Sequence, residues 1–212
     1  MPEHSHMKRP TKKDAQPAAI ESARLTREDW LDEAFNAVAQ GGIEKVKVLL
    51  LAEKLQVTRG SFYWHFADHA DLIASLLARW RLDQSALDEK LKALRSNDPC
   101  SDLDSVLELA LAHAGPDLRN MRFELALRGL GRRDAQVAQM LVEVDQARVD
   151  LFADKFFALV QDKKKATDLA ALFYLALAGS YQALGRPVNP PQVREYLKSL
   201  ISHYLIHQQV CA

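Results

Sequence analysis

The sequence predicts an all-α protein. A three-helix N-terminal unit containing a helix-turn-helix is joined by one long helix to a larger helical region, about nine helices in total. Three observations carry this. From Thr26 onward, apolar residues recur at helical spacing almost to the C-terminus. The strongest turn signals, Gly41-Gly42, Asn97-Asp98-Pro99, Gly185-Arg186-Pro187 and Asn189-Pro190, fall between those runs. No stretch alternates apolar and polar residues as a half-buried strand does, and there is no internal repeat or low-complexity tract.

Residues 1–23 are polar, contain proline and lack periodicity, so they read as a mobile, disordered tail. Lys8, Arg9, Lys12 and Lys13 make the tail locally basic; a solvated tail is the plainer reading and a DNA-backbone arm the sharper one. His4-Ser5-His6-Met7 also fits an expression scar. Thr26 is the expected N-cap of the first helix, with Asp29 three residues on as a weaker relative of the capping-box Glu. Leu31, Ala34, Phe35 and Val38 form its apolar stripe, and Gly41-Gly42 supplies the left-handed stop. Val48, Leu51, Ala52 and Leu55 mark a short second helix, and a third covers about 58–66. A long helix then starts near Asp68. Leu72, Ile73, Leu76, Leu77, Trp80, Leu87, Leu91 and Leu94 carry its apolar face over roughly 35 Å, until Asn97-Asp98-Pro99 breaks it. Further helices are expected over about 102–114, 116–130 with Pro116 in the first turn, 134–160, 164–184 and 191–208.

With 212 residues, of which 48% are hydrophobic and 26% charged, the chain has ample material for a core. Lys+Arg and Asp+Glu balance at 28 each, which argues against wholesale coating of nucleic acid but leaves room for a small groove-binding surface. Two cysteines, Cys100 and Cys211, are too few for a disulfide scaffold, and no Cys/His spacing matches a structural zinc site. There is no signal-peptide pattern, and the longest apolar stretch, 169–184, falls short of the roughly 20 residues a membrane span needs. A cytoplasmic protein without membrane contact or cofactor is expected.

The informative segment runs over residues 42–66. Two short helices joined by a tight turn suit DNA reading, because one can brace on the backbone while the other enters the major groove. On a helical wheel Phe62 and Phe66 share the face that enters a core with Leu55 and Val57. Gly60, Ser61, Tyr63 and Trp64 occupy the opposite arc, where a solvated helix would carry charge; grouped exposed aromatics mark a contact surface. Gly60 permits close approach of a backbone, and Arg59 can fork onto guanine or phosphate.

The run Gly60-Ser61-Phe62-Tyr63-Trp64-His65-Phe66, with Leu51-Ala52 upstream, resembles the TetR family of bacterial regulators. The resemblance is specific over residues 25–77 and architectural beyond. It implies a DNA-binding domain over 24–70 and an effector-binding and dimerisation domain over 71–212. It also implies a homodimer presenting two recognition helices to a double-stranded operator. Carried over by position, Arg59, Gly60, Ser61, Tyr63, Trp64, His65 and His69 would meet DNA. Four departures thin out the electrostatic part of that contact or loosen its scaffold. Lys47 replaces a Ser or Thr cap, at about 1 kcal/mol. Gln56 replaces the turn glycine, at roughly 1–2 kcal/mol. Leu49 and Leu50 replace polar residues, and His69 replaces a phosphate-touching Lys or Arg. A shallow salt dependence on random duplex is therefore expected, and a slope near eight or more in log K against log salt contradicts it.

In the second half the resemblance implies a small-molecule effector pocket. Trp80, Met121, Phe123, Phe152, Phe156, Phe173, Tyr174 and Tyr181 are bulky residues at helical spacing, which more often make ordinary core than pocket wall. Asp145 and Arg148 share a stripe with Phe152, either as a buried polar pair orienting a ligand or as a surface i, i+3 pair. Ala176, Gly179, Ser180 and Ala183 give two small-xxx-small spacings, suited to a dimer interface or to tight packing within one subunit. His203 and His207 have metal-compatible spacing, but no carboxylate completes a set, so no metal is expected. No nucleotide fingerprint, Walker loop, nucleophile elbow or HExxH is present, so an enzyme is not expected. The expected mechanism is repression released when an effector shifts the spacing of the two recognition helices. The competing reading is a ligand- or protein-binding module whose helix-turn-helix no longer binds DNA.

Overall fold

A computed structural model describes residues 25–112, 118–184 and 192–209. The N-terminal tail, Pro116, the Gly185-Arg186-Pro187 and Asn189-Pro190 steps, Pro191 and Cys211 lie outside them. Among the described residues there are nine α-helices and no strand. They are α1 (Arg27–Gly41), α2 (Val48–Lys54), α3 (Arg59–Phe62), α4 (His69–Ala93), α5 (Pro99–Ala112), α6 (Arg119–Gly131), α7 (Ala135–Val160), α8 (Lys163–Leu184) and α9 (Val193–Ile201).

Helix ends follow side-chain chemistry. Thr26 and Asp29 make a full capping box: the Thr26 hydroxyl accepts from Asp29 N at 3.3 Å, and the Asp29 carboxylate accepts from Thr26 N at 2.7 Å. Asp68 caps α4 by accepting from Asp71 N at 2.9 Å. Asp98 caps α5, accepting from Cys100 N and Ser101 N at 3.2 and 3.1 Å. That cap, with Pro99 pre-set for the first turn, starts α5 three residues before the expected Asp102. The last helix stays regular only to Ile201; a π-turn (Ser202–Ile206) and a 3-10 turn (His207–Gln209) follow.

Two apolar clusters divide the interior. The first joins α1 to α4 with Phe123 and Leu127 of α6 and Val137, Leu141 and Val144 of α7. Phe35 stacks on Phe123 at 4.3 Å between centroids, tying α1 directly to α6. The second joins α5 and α8 to the later turns of α4 and α7 and the C-terminal segment. Along α4 the change of cluster falls between Trp80 and Leu87, and along α7 between Val144 and Leu151. Gln84 and Arg148 occupy those two gaps, both buried.

A polar layer fills the junction. Arg148, 4% exposed, donates to Glu124 at 3.2 Å and to Gln84. Arg128 forks onto Asp145 at 3.0 and 2.8 Å, and also reaches Glu124 and the Tyr174 hydroxyl. Asp145 and Arg148 are therefore not a surface pair. Arg148 is buried and hydrogen-bonds partners on α4 and α6, because residues three apart on one helix can serve two different neighbouring helices.

Candidate nucleic-acid interface

The turn between α2 and α3 closes through backbone geometry. Gln56 sits at φ 56°, in the left-handed region expected for it. Val57 N donates to Ala52 O at 3.0 Å and Gln56 N to Glu53 O at 3.1 Å, the paired bonds of a Schellman stop. Lys47 occupies the N-cap of α2 and makes no capping bond with its side chain.

The expected helix over 58–66 is α-helical only in its first turn. The N–H groups of Tyr63, Trp64 and His65 donate to carbonyls three residues back, a tighter 3-10 winding, before Phe66 N returns to Phe62 O at 3.1 Å. This winding keeps the two phenylalanines together: they stack at 5.3 Å, both buried. Trp30 of α1 meets Phe62 edge-on at 5.4 Å, and the Arg27 guanidinium lies 4.6 Å from the centre of the Phe66 ring. Trp30 was not singled out from the sequence. Its signal is a second stripe on α1, Trp30, Ala34 and Ala37, at i, i+4 and i+7.

The opposite face is open. Trp64 is 86% exposed and Tyr63 54%. Arg59 Nη2 donates to the Tyr63 hydroxyl at 3.2 Å, so cation and ring are presented as a unit. Gly60 is exposed, and a Cβ built there would meet nothing closer than Thr58 Oγ1 at 3.7 Å. Ser61 and His65 lie half-buried at the flanks. His69 is exposed, yet its Nε2 is 2.6 Å from Val46 O, which ties the start of α4 to the segment before α2. The structure thus brings Arg59, Gly60, Tyr63 and Trp64 to one surface, with Ser61 and His65 at its edge. Leu49 and Leu50, 58% and 40% exposed, add an apolar patch on α2.

The bulky residues of the second half separate. Trp80 and Phe123 belong to the N-terminal cluster, whereas Met121, Phe152, Phe156, Phe173, Tyr174 and Tyr181 belong to the C-terminal one. Asp145 is partly buried at the polar layer: burial pushes its pKa up, but the Arg128 fork and the Tyr174 hydroxyl hold it below the ordinary value. Burial pushes the Tyr174 phenol up to about 12. On α8, Gly179 is exposed and Ala176 and Ala183 are half-buried, while Ser180 turns inward with its hydroxyl on Leu177 O at 2.6 Å. His207 faces Asp104 at 2.8 Å, and His203 packs edge-on against Tyr204. No helix among the described residues is long and apolar enough to cross a membrane.

Residues 31–76 match the family model described as bacterial regulatory proteins, tetR family. Among curated proteins, the chain is 26% identical over 152 residues to the HTH-type transcriptional regulator AcrR of Shigella flexneri, covering 72% of this chain and 69% of that one. It is 37% identical over 57 residues to the HTH-type transcriptional regulator TtgR of Pseudomonas putida, 27% of each chain. Among solved structures, a transcriptional regulator from Rhodococcus aligns with a TM-score of 0.69 at 18% identity, over 87% of this chain and 97% of that one. A regulator from Saccharomonospora viridis, solved in complex with choline, aligns at 0.65 and 19% identity, over 84% and 96%. At such identities the structures speak for the fold alone.

Proposed function

Because the chain belongs to the TetR family of bacterial transcriptional regulators, we propose that it is a dimeric repressor which leaves its operator when a small molecule binds the C-terminal helices. The observation that carries this reading is the exposed Tyr63–Trp64 pair on a rod anchored by Phe62, Phe66 and Trp30. Arg59, Gly60, Tyr63 and Trp64 face base edges and phosphates of one half-site, with Ser61 and His65 at the rim. His69, already bonded to Val46 O, steadies the frame and adds at most one phosphate contact. The repressor direction is supported by the probable acrEF/envCD operon repressor of Escherichia coli, 29% identical over 91 residues, 43% of this chain and 41% of that one.

The partner subunit docks on the outer face of α8 and α9. Leu172 and Leu175 stand exposed two turns and one turn before Gly179, and Tyr196 and Tyr204 add exposed aromatics from the C-terminal segment. Gly179 lets the two copies approach closely, while Ser180 serves packing within its own subunit. Two recognition helices held about 34–36 Å apart can grip successive half-sites together, so an effector that changes their spacing by a few Å ends that grip.

Fluorescence anisotropy with duplexes from the gene's own upstream region tests the reading. Saturable binding that survives excess random duplex is expected. Binding indistinguishable from random duplex would favour the module without DNA affinity, the reading to which the exposed Leu49 and Leu50 give some support.

A further inference from the structure

Buried in the polar layer is a mismatch that the regulatory reading does not use. Gln84 and Asp88 lie one turn apart on the inner face of α4, both buried. Gln84 accepts from the Arg148 guanidinium of α7, whereas Asp88 Oδ1 is enclosed without any hydrogen-bond partner. A buried acceptor left unpaired is destabilising, because it has given up its water without gaining a partner. The arginines of the layer, Arg128 and Arg148, are already matched by Glu124 and Asp145, so Asp88 is the surplus acid. Burial raises its pKa, with Arg148 as the leading opposing influence. The layer also sits where both α4 and α7 pass from one apolar cluster to the other.

We propose that Arg148 is a two-position latch between α7 and α4, holding Gln84 in this state and Asp88 in a second state. Each position satisfies one acceptor and strands the other, so neither arrangement satisfies the whole layer. Neighbouring turns of a helix are about 6 Å apart at four residues, an upper bound on the sliding needed, since the long arginine side chain absorbs part of it. Because α4 begins directly after the reading segment, exchange of the latch repositions Tyr63 and Trp64. Arg148, Gln84 and Asp88 are positioning residues. The inference rests on the regulatory reading for its consequence and on the layer alone for its existence.

Two substitutions in the full chain test it. Gln84→Leu removes the first seat and Asp88→Leu the second. Each is expected to change operator affinity about tenfold, in opposite directions, which loss of packing would not do. Shifts of the same sign overturn the latch. If either leucine variant fails to fold, Gln84→Met and Asp88→Asn are expected to give smaller shifts of the same opposite signs. Spin labels at exposed Ala74 on α4 and Ala147 on α7, in a Cys100→Ser, Cys211→Ser background, read the latch without DNA. Their separation should differ by a few Å between the two seat variants. Identical separations overturn the latch even if the chain binds no duplex, and a wild type that binds no duplex with separations that differ overturns only the regulatory reading.

Discussion

In the proposed reading, Gly60 can separate folding from DNA contact at a single position. A methyl group there meets no atom closer than 3.7 Å, and alanine is favoured over glycine within a helix by up to about 1 kcal/mol. Gly60→Ala is therefore expected to unfold at the same or slightly higher temperature while losing about tenfold in operator affinity, since the cost arises only against DNA. Unchanged affinity would remove Gly60 from the contact face. Asp88 gives a pH test at the same scale. Its folded pKa is raised, first by burial, with Arg148 and Lys92 opposing and Glu89 reinforcing. The protein is thus favoured while Asp88 is protonated, and that contribution is lost as pH rises through the folded pKa. Asp88→Asn should be more stable than wild type at neutral pH by on the order of 1 kcal/mol, with the gain fading as pH falls through the raised folded pKa and gone below about pH 4, near the unfolded value. Denaturant titrations at both pH values check this, and a pH-independent difference contradicts it. The helical wheel placed Phe62 and Phe66 inward and Tyr63 and Trp64 outward because that division needs only local periodicity. The orphaned Asp88 oxygen could not be read the same way, since its environment is set by residues about 60 positions away on α7.

Among the elements, α2 has little support from its own ends. It lasts seven residues, starts at an uncapped Lys47 and ends with a non-glycine at φ 56°. Gln56→Gly should stabilise the protein by about 1 kcal/mol, because glycine relieves the left-handed strain while the Schellman bonds stay in place. Thermal unfolding that shows no gain would mean that other contacts of Gln56 offset the strain. The capping residues and the Gly41-Gly42 stop made most helix positions legible. Ends were less so: Asp98 starts α5 earlier than expected, and the C-terminal helix unwinds into a π-turn after Ile201. In that segment Arg194 and Lys198 pair with Glu108, and Ser202 and His207 pair with Asp104, all across to α5. Such partners lie some 90 to 100 residues away, so no periodicity within the segment announces them. The Phe35–Phe123 stack likewise gives α1 its own tie to α6, beside the α4 connection that the sequence suggested.

At the scale of the whole molecule, the proposed repression requires two copies to hold two reading faces together. A Cβ at Gly179 meets no atom within 4 Å inside the subunit, so Gly179→Leu is expected to keep helical content while weakening the dimer at least about tenfold. Sedimentation at micromolar concentration checks it, and a wild-type chain that is strictly monomeric contradicts the docking face. Small-residue spacing points to α8, whereas the exposure of Leu172, Leu175, Tyr196 and Tyr204 depends on how α8 and the C-terminal segment pack, which no local pattern announces. The reading face itself can be followed through its own fluorophore. Of the three tryptophans, Trp30 and Trp80 are buried and Trp64 is open to water. Acrylamide quenching of tryptophan emission, measured with and without a bound operator duplex, therefore reports on Trp64 almost alone. Loss of the quenchable component on binding is the predicted result. A duplex that binds tightly while Trp64 stays fully quenchable would contradict the account.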